Sequence, residues 1–252
     1  MFDSIWVFPL LFITGLAAGL IDSIAGGGGL LTLPVLLSLG FPPKVALGTN
    51  KFQSSFGSFT AASYYTHHKV VSLKEAGMGI AFTLVGAAVG TWAVQQVNSG
   101  ILRQIIPVLL LCIVAYTFFT PKFGDRDSLP RLSANTFYAL FGTTLGFYDG
   151  FFGPGVGSFW AMAFVLGLGM NLTKATGYTK VMNFTSNIVS CVLFLMAGYV
   201  WFMAGLVMAA GQIIGSRMGA LLVIKRGAAL IRPVFISIVV LTTLKLLYDQ
   251  FR

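Results

Sequence analysis

The sequence has little charge. Only 7 of its 252 residues are Asp or Glu and 16 are Lys or Arg, so charged residues make up 9% of the chain and hydrophobic residues 56%. A soluble domain carries about 25% charged residues, and the mean hydropathy here is +0.87. This scarcity of charge excludes an ordinary soluble domain and predicts an integral membrane protein.

Side chains for metal or redox chemistry are also few. The chain has two Cys and two His, and Cys112 and Cys191 lie in apolar runs without a CxxC spacing or clustered His. This argues against a metal site and a redox motif. No nucleotide-binding motif is present, so an ATP-driven pump would need another chain. We therefore predict no metal and no cofactor.

The positive charge is not concentrated in any block. The net charge of +9 arises from Lys and Arg residues scattered over short loops. Such loops set the orientation of a membrane protein, whereas nucleic-acid binding needs a basic patch. We expect no nucleic-acid partner.

Apolar stretches long enough to cross a bilayer recur along the chain. Residues 81–97 (AFTLVGAAVGTWAVQQV) and 105–119 (IIPVLLLCIVAYTFF), with their flanks, approach the roughly 20 residues that a spanning helix needs. The N-terminal stretch, residues 1–20 (MFDSIWVFPLLFITGLAAGL), lacks a positively charged start and carries Asp3. We therefore expect a retained membrane segment and not a cleaved signal peptide. The sequence predicts an all-α polytopic membrane protein.

The chain uses one pattern twice. Asp22 and Asp149 are 127 residues apart. Glycines around them keep this offset, in the pairs Gly19/Gly146, Gly26/Gly153 and Gly28/Gly155. Further on, VALGTNK in the first half resembles KATGYTK in the second, which aligns Lys51 with Lys180. Many transporter folds consist of two such related halves.

The repeat divides the chain. We predict a first repeat at residues 1–120, a polar linker at 121–132 and a second repeat at 133–252. In each repeat an apolar stretch ends at the Asp, and a Gly cluster, a short apolar stretch and three longer ones follow. The short stretches are Leu30–Leu39 and Ser158–Leu168; the longer ones are Val45–Tyr65, Ala76–Val97, Leu102–Phe119, Thr173–Ala197, Val200–Val223 and Leu230–Leu247.

The short stretches leave the number of crossings open. Each covers about half a bilayer, so it either forms a re-entrant hairpin with the preceding stretch or crosses with it. The two readings give about 8 to 10 membrane segments with broken or re-entrant helices.

Loop charges predict that the two repeats are inverted. Loop 67–74 (HHKVVSLK) is basic and its counterpart 198–200 (GYV) is not. Conversely, loop 225–232 (KRGAALIR) is basic, while 98–103 (NSGILR) carries only Arg103. Because basic loops tend to be cytoplasmic, equivalent loops should lie on opposite sides of the membrane.

The Gly clusters mark breaks inside the membrane. Consecutive glycines disrupt a helix, and an irregular segment at this depth must be buried in protein or line a wet cavity. A helix that starts after such a break has free N–H groups that favour an anion. Close helix packing is the alternative for any single glycine, and GLAAG at 15–19 invites it.

Candidate site residues follow from this pattern. We expect the anion to be bound by Lys51, Lys180, Thr49, Asn50, Gly26, Gly27, Gly28, Gly29, Gly153, Gly155, Asn183 and Asn187. For the lysines, the alternative is that they reach to the membrane surface from a helix end. Arg217 has no counterpart in the first half, and we rank it lower, as a group that orients the cavity or forms a local ion pair.

Asp22 and Asp149 are candidate proton carriers. A carboxylate at membrane depth costs roughly 2.5 to 3.5 kcal/mol on insertion scales, so it needs a functional or structural reason. The functional reading is proton coupling. The structural reading is a partner for Lys or a cap for the broken helix.

Four segments together resemble the TauE/SafE family of sulfite exporters, also called toluene-sulfonate uptake permeases. They are GLIDSIAGGGGLLTLP (19–34), ALGTNKFQ (46–53), GFYDGFFGPGVGSF (146–159) and KATGYTK (174–180). The resemblance spans essentially the whole chain. It implies a two-repeat permease of the bacterial inner membrane for sulfur-containing anions such as sulfite or organosulfonates, with substrate and direction left open. The change from Thr49-Asn50 to Tyr178-Thr179 argues against a fully symmetric site.

The expected function is therefore a secondary transporter, not an enzyme, that moves a small anion by alternating access with proton coupling. Alternatives are a passive anion channel, an assembly partner without transport, and an intramembrane aspartyl protease with Asp22 and Asp149 sharing a proton. Against the protease, Lys51 and Lys180 would form ion pairs with these aspartates and so compete with the shared proton. Expected partners are the anion, protons, membrane lipid and a second copy of the chain.

Overall fold

The computed structural model describes residues 6–119 and 127–226. These two segments are helical, with short turns between helices and no β-strand within them. The predicted last stretch Leu230–Leu247, most of loop 225–232 and part of the linker lie outside the described residues.

The helices follow the predicted order in both halves. In the first half they are α1 (Val7–Ala25), α2 (Gly29–Ser38), α3 (Pro43–His67), α4 (Leu73–Gln96) and α5 (Ser99–Phe119). In the second half they are α6 (Ala134–Phe137), α7 (Thr143–Phe151), α8 (Val156–Leu168), α9 (Leu172–Met196) and α10 (Phe202–Arg226). A π-helical turn, Tyr138–Gly142, joins α6 to α7 without a break, so this continuous rod is the counterpart of α1.

Several helices can span a membrane. Four are long and apolar enough, at Val7–Ile24, Leu73–Gln96, Leu172–Met196 and Phe202–Lys225. Shorter apolar helices occur at Gly29–Ser38, Ser99–Ile113 and Val156–Leu168. The all-α polytopic membrane fold is thus confirmed, with the two short helices where the sequence predicts them.

Helices from one half pack mainly on helices from the other. Among the described helices the most extensive contacts join α1 to α10, α4 to α7, and α3 to α9. Glycines allow the close approach: a Cβ on Gly15 would lie 2.2 Å from the carbonyl oxygen of Met208, and one on Gly90 would lie 2.1 Å from that of Phe147. Small residues serve the same purpose in other membrane helix pairs. The packing role expected for Gly15 is confirmed.

Helices α3 and α9 are equivalent in sequence but run antiparallel. Gly48, near the start of α3, lies against the carbonyl oxygen of Tyr199, just after α9. Gly177, near the start of α9, lies against Val71, just after α3. An inverted repeat requires its equivalent helices to run in opposite directions, as α3 and α9 do. The inversion of the complete halves remains a prediction.

Buried polar residues occupy the middle of α3 and α9. In α3 they run from Thr49 to Ser58, between the apolar cluster that contains Leu47 and the one that contains Tyr65. In α9 they run from Thr179 to Ser190 in the same way. These two polar faces meet where α3 packs on α9, and they position the site.

The α4–α7 contact predicts that alanine substitutions at two glycines of α4 have opposite effects on thermal stability. Gly90→Ala should lower the thermal unfolding midpoint in detergent, since overpacking typically costs about 1 to 3 kcal/mol. Gly77→Ala is the matched control, because nothing lies within 4 Å of its added Cβ. It should stabilise the protein by up to about 1 kcal/mol. Equal midpoints for the two variants would contradict this packing.

The loop charges and helix directions predict which loops face the cytoplasm. In a host lacking Cys112 and Cys191, single cysteines at Lys69 and Lys225 should both be protected from an impermeant external thiol reagent in intact cells. A cysteine at Gly198 should be labelled. Labelling at one of the two lysine positions and protection at the other would disprove the inverted arrangement.

Candidate functional site

Two ion pairs cross between the halves. Lys51 of α3 lies 2.5 Å from the Oδ1 atom of Asp149 in α7. Lys180 of α9 lies 3.2 Å from the Oδ2 atom of Asp22 in α1. Each lysine therefore binds the carboxylate of the other half. Each aspartate is paired with a lysine of its own, which does not suit a carboxylate pair that shares one proton.

The Asp149 pair is fully enclosed. The side chains of Lys51 and Asp149 are only 2% and 3% exposed. The Oδ2 atom of Asp149 accepts a hydrogen bond from the hydroxyl of Ser186, and the Lys51 ammonium donates to the Oδ1 atom of Asn187 at 3.2 Å. Buried charges are tolerated when they are paired and hydrogen-bonded in this way.

The Asp22 pair is more open. The Asp22 side chain is 20% exposed, and that of Lys180 is 0% exposed. Lys180 also donates to the main-chain carbonyl of Asp22. The Oδ1 atom of Asp22 accepts from the backbone N–H groups of Gly27 at 3.1 Å and Gly28 at 3.3 Å. Asp22 thus binds Lys180 and caps the break between α1 and α2.

This cap corrects one expectation. The sequence suggested that N–H groups of the first Gly cluster would be free for an anion. Those of Gly27 and Gly28 instead contact Asp22, because α1 ends only a few residues before α2 begins and the carboxylate reaches across the break.

The two breaks touch each other. A Cβ on Gly26 would lie 2.4 Å from the Cα of Gly157, and the Ser158 hydroxyl donates to the Gly26 carbonyl at 3.1 Å. Gly153 has φ +97°, and a Cβ there would lie 2.8 Å from the Lys51 ammonium nitrogen and 2.9 Å from the Oδ1 atom of Asp149. Glycine is needed at this position both for its backbone conformation and for the ion pair beside it.

A small polar cavity lies at the meeting of the halves. Its volume is about 30 Å³, room for about two water molecules. Its lining residues are Asp22, Gly29, Asn50, Lys51, Ser54, Asp149, Gly153, Val156, Asn183 and Asn187. Both halves and both carboxylates contribute to it.

One cavity residue has an unused polar atom. The Oδ1 atom of Asn183 is buried and has no hydrogen-bond partner among the described residues. By contrast, the Oδ1 atom of Asn50 accepts from Thr32 at 2.5 Å and from Gln53 at 3.0 Å. A buried polar atom without a partner is uncommon in folded proteins and points to a bound water or ligand.

The structure brings together most, but not all, of the predicted residues. Lys180 contacts Asp22 but does not line the cavity. Gly26, Gly27 and Gly28 form the break between α1 and α2 and do not line the cavity either. Two others point elsewhere. The hydroxyl of Thr49 accepts from the backbone N–H of Trp201 at 3.0 Å, and Gly155 packs on Ile113 of α5.

Sequence reasoning did not single out Ser186 or Thr32. Ser186 binds Asp149, and Thr32 binds Asn50. Ser186 stands three residues after Asn183, so helical spacing alone would have placed it on the same face. Thr32 carries no such signal, because its contact depends on how α2 packs against α3. Arg217 lies outside the cavity, exposed on α10.

A multi-pass helical bundle with a small charged cavity between two related halves is the architecture of a membrane transporter. The family model for "Sulfite exporter TauE/SafE" matches residues 11–246. The chain belongs to this family, and it is a multi-pass inner-membrane protein.

Relatives carry names of the same kind. The chain is 47% identical over 254 residues to "Probable membrane transporter protein YfcA" of Escherichia coli K12, covering 99% of this chain and 94% of that protein. It is 45% identical to a "Probable membrane transporter protein" of Haemophilus influenzae, covering 97% and 96%. For "Probable membrane transporter protein ORF9" of a Sinorhizobium species the identity is 39%, covering 96% and 93%. No solved structure matches the chain.

The unequal surroundings of the two carboxylates predict unequal effects on stability. Asp149→Asn leaves Lys51 buried without a counter-ion, and breaking a buried pair in this way costs about 3 to 5 kcal/mol. Asp22→Asn should cost less, because Asp22 is more exposed and its main-chain carbonyl still accepts from Lys180. Chemical unfolding in detergent measures both.

A double variant serves as the control for this comparison. Replacing both partners, as in Asp149→Asn with Lys51→Met, removes the unpaired charge and should restore much of the lost stability. Equal losses for the two single aspartate variants would contradict the difference in burial on which the prediction rests.

Proposed function

We propose that the protein is a secondary transporter that moves a small sulfur-containing anion, such as sulfite or an organosulfonate, by alternating access with proton coupling. The observation that carries the proposal is the crossed pairing of Lys51 with Asp149 and of Lys180 with Asp22 beside one cavity. Lysines that can bind an anion already hold a carboxylate of the opposite half.

Anion binding in such a site is an exchange of counter-ions. A buried lysine must keep a negative partner. An anion that enters the cavity can replace the Asp149 carboxylate at Lys51, with the Asn183 and Asn187 side chains beside it. The released carboxylate would then lie unpaired at membrane depth, where the neutral form is favoured, so it takes up a proton. One anion and one proton thus enter together, and the charge of the site is unchanged.

The same exchange provides a way to open the cavity. Each ion pair holds a helix of one half to a helix of the other, so replacing the carboxylate loosens a contact between halves. Secondary transporters alternate their access by moving such halves around a fixed central site.

Support for a sulfur oxyanion comes from the family description, which names sulfite. The donors agree with it: an ammonium group, amides and hydroxyls suit a compact oxyanion. The small volume of about 30 Å³ favours sulfite over a sulfonate that carries an aromatic ring.

The pairing also argues against a passive channel. An anion channel selects with positive groups that stay available along an open pore, whereas both lysines here have carboxylate partners. The small cavity agrees with a carrier that binds one small ion at a time.

Transport in proteoliposomes tests the proposal. An imposed proton gradient should drive sulfite uphill, and an imposed sulfite gradient should move protons, followed with an enclosed pH dye. Lys51→Ala should weaken anion binding by about ten- to a hundredfold, the value of one charged hydrogen bond. Lys180→Ala should also weaken it, because it leaves the Asp22 carboxylate that lines the cavity without its counter-ion. The double variant should lose more than either single one.

The matched control is Lys74→Ala, an exposed lysine in the basic loop that should bind and transport normally. Sulfite movement that only dissipates its own gradient, without proton movement, would favour the channel. Wild-type affinity in all three variants of Lys51 and Lys180 would remove these lysines from the site.

A further inference from the structure

A second groove, lined by both polar and aromatic side chains, lies on the outer surface between the end of α3 and α10. We call it the α3–α10 groove. It has a volume of about 750 Å³ and is lined by Phe59, Thr60, Ser63, Tyr64, His67, His68 and Arg217. It shares no lining residue with the central cavity.

Arg217 has no protein counter-ion in the part of the chain that the structure describes. It is exposed, and it makes no hydrogen bond or ion pair there. Its exposed neighbours on α10 are apolar: Ile213, Ile214, Met218 and Leu221. A charge on a lipid-facing surface is costly unless it is paired. The counter-ion must therefore come from outside these residues.

The depth of Arg217 fits a lipid headgroup. Helix α10 runs parallel to α3, because Gly205 lies against Phe52 and Gly57 lies against Gln212. By the register of these contacts Arg217 is level with Ala62 of α3, five residues or about 8 Å along the axis before the end of α3. A long side chain at this depth extends toward the interface, which is where α3 ends at His67.

The rim of the groove adds further donors. His68 lies with its Nδ1 atom 2.8 Å from the Tyr64 carbonyl oxygen, so that nitrogen carries the proton and donates. The Tyr64 and His68 rings are 4.2 Å apart, and those of His67 and His68 are 5.5 Å apart. A guanidinium group, two imidazoles and the Ser63 hydroxyl form a set suited to phosphate.

We propose that the α3–α10 groove binds the phosphate of an anionic phospholipid, with Arg217 as its main contact and the acyl chains along the apolar face of α10. The groove opens at the same end of α3 as the basic loop 67–74. By the charge rule for loops, this end faces the cytoplasmic leaflet.

Charge complementarity favours lipid over a second copy of the chain. The sequence has seven acidic residues. Of the four that the structure describes, Asp22 and Asp149 bind lysines, Glu75 accepts from the Tyr178 hydroxyl at 2.6 Å, and Asp127 accepts from Asn171. A second copy has few carboxylates to offer, whereas the surrounding bilayer supplies phosphates.

Native mass spectrometry of the delipidated full chain in detergent tests the proposal. Phosphatidylglycerol should bind to the wild type more tightly than phosphatidylethanolamine does, and inorganic phosphate should not compete at similar concentration. Arg217→Gln should weaken phosphatidylglycerol binding by about ten- to a hundredfold. Arg103→Gln, an exposed arginine on α5, is the matched control and should bind as the wild type does.

Additional variants separate a loss of lipid binding from a loss of folding. If Arg217→Gln unfolds, Arg217→Lys and the double variant His67→Gln with His68→Gln should each show a partial loss. Unchanged lipid binding in these variants would overturn the proposal. So would equal competition by inorganic phosphate, or a loss of dimer in Arg217→Gln with lipid binding intact. Because lipid binding is read directly, the result does not depend on which anion is transported.

Discussion

A lysine buried in the middle of a membrane protein must keep a negative partner, and in this transporter the partner always comes from the other half of the chain. Lys51 and Lys180 hold Asp149 and Asp22 across the interface. The helix breaks lie beside these pairs, because Asp22 and Asp149 stand just before the ends of α1 and α7. The glycines allow the backbone to turn at these breaks and leave room for the ammonium group beside Gly153.

Much of this arrangement follows from the sequence. The constant spacing between the aspartates, and between the lysines, identified the four charges, and apolar length predicted the short helices α2 and α8. The partners could not be assigned in this way, because pairing within each half fits the same spacing. Partner choice depends on how α3, α7 and α9 pack, which is information held by contacts distant in the chain.

The contacts of adjacent residues in one helix are equally hard to predict from the sequence. Thr49 and Asn50 are adjacent, yet Thr49 binds the backbone at Trp201 and Asn50 faces the cavity. Successive residues of a helix point about 100° apart, so only one of the pair can face a given neighbour. The sequence shows that both are polar but not which neighbour each will meet. Tyr178, the counterpart of Thr49, likewise binds Glu75 beside the 67–74 loop, so the halves differ mostly away from the charged centre.

The small volume of the cavity also matters for the cell that carries this protein. A continuous file of water through a membrane protein would let protons pass independently of any solute. A cavity of about 30 Å³ holds about two water molecules, too few to form such a file by itself. A site that carries its solute with so little water limits the leak of protons that would otherwise drain the proton-motive force.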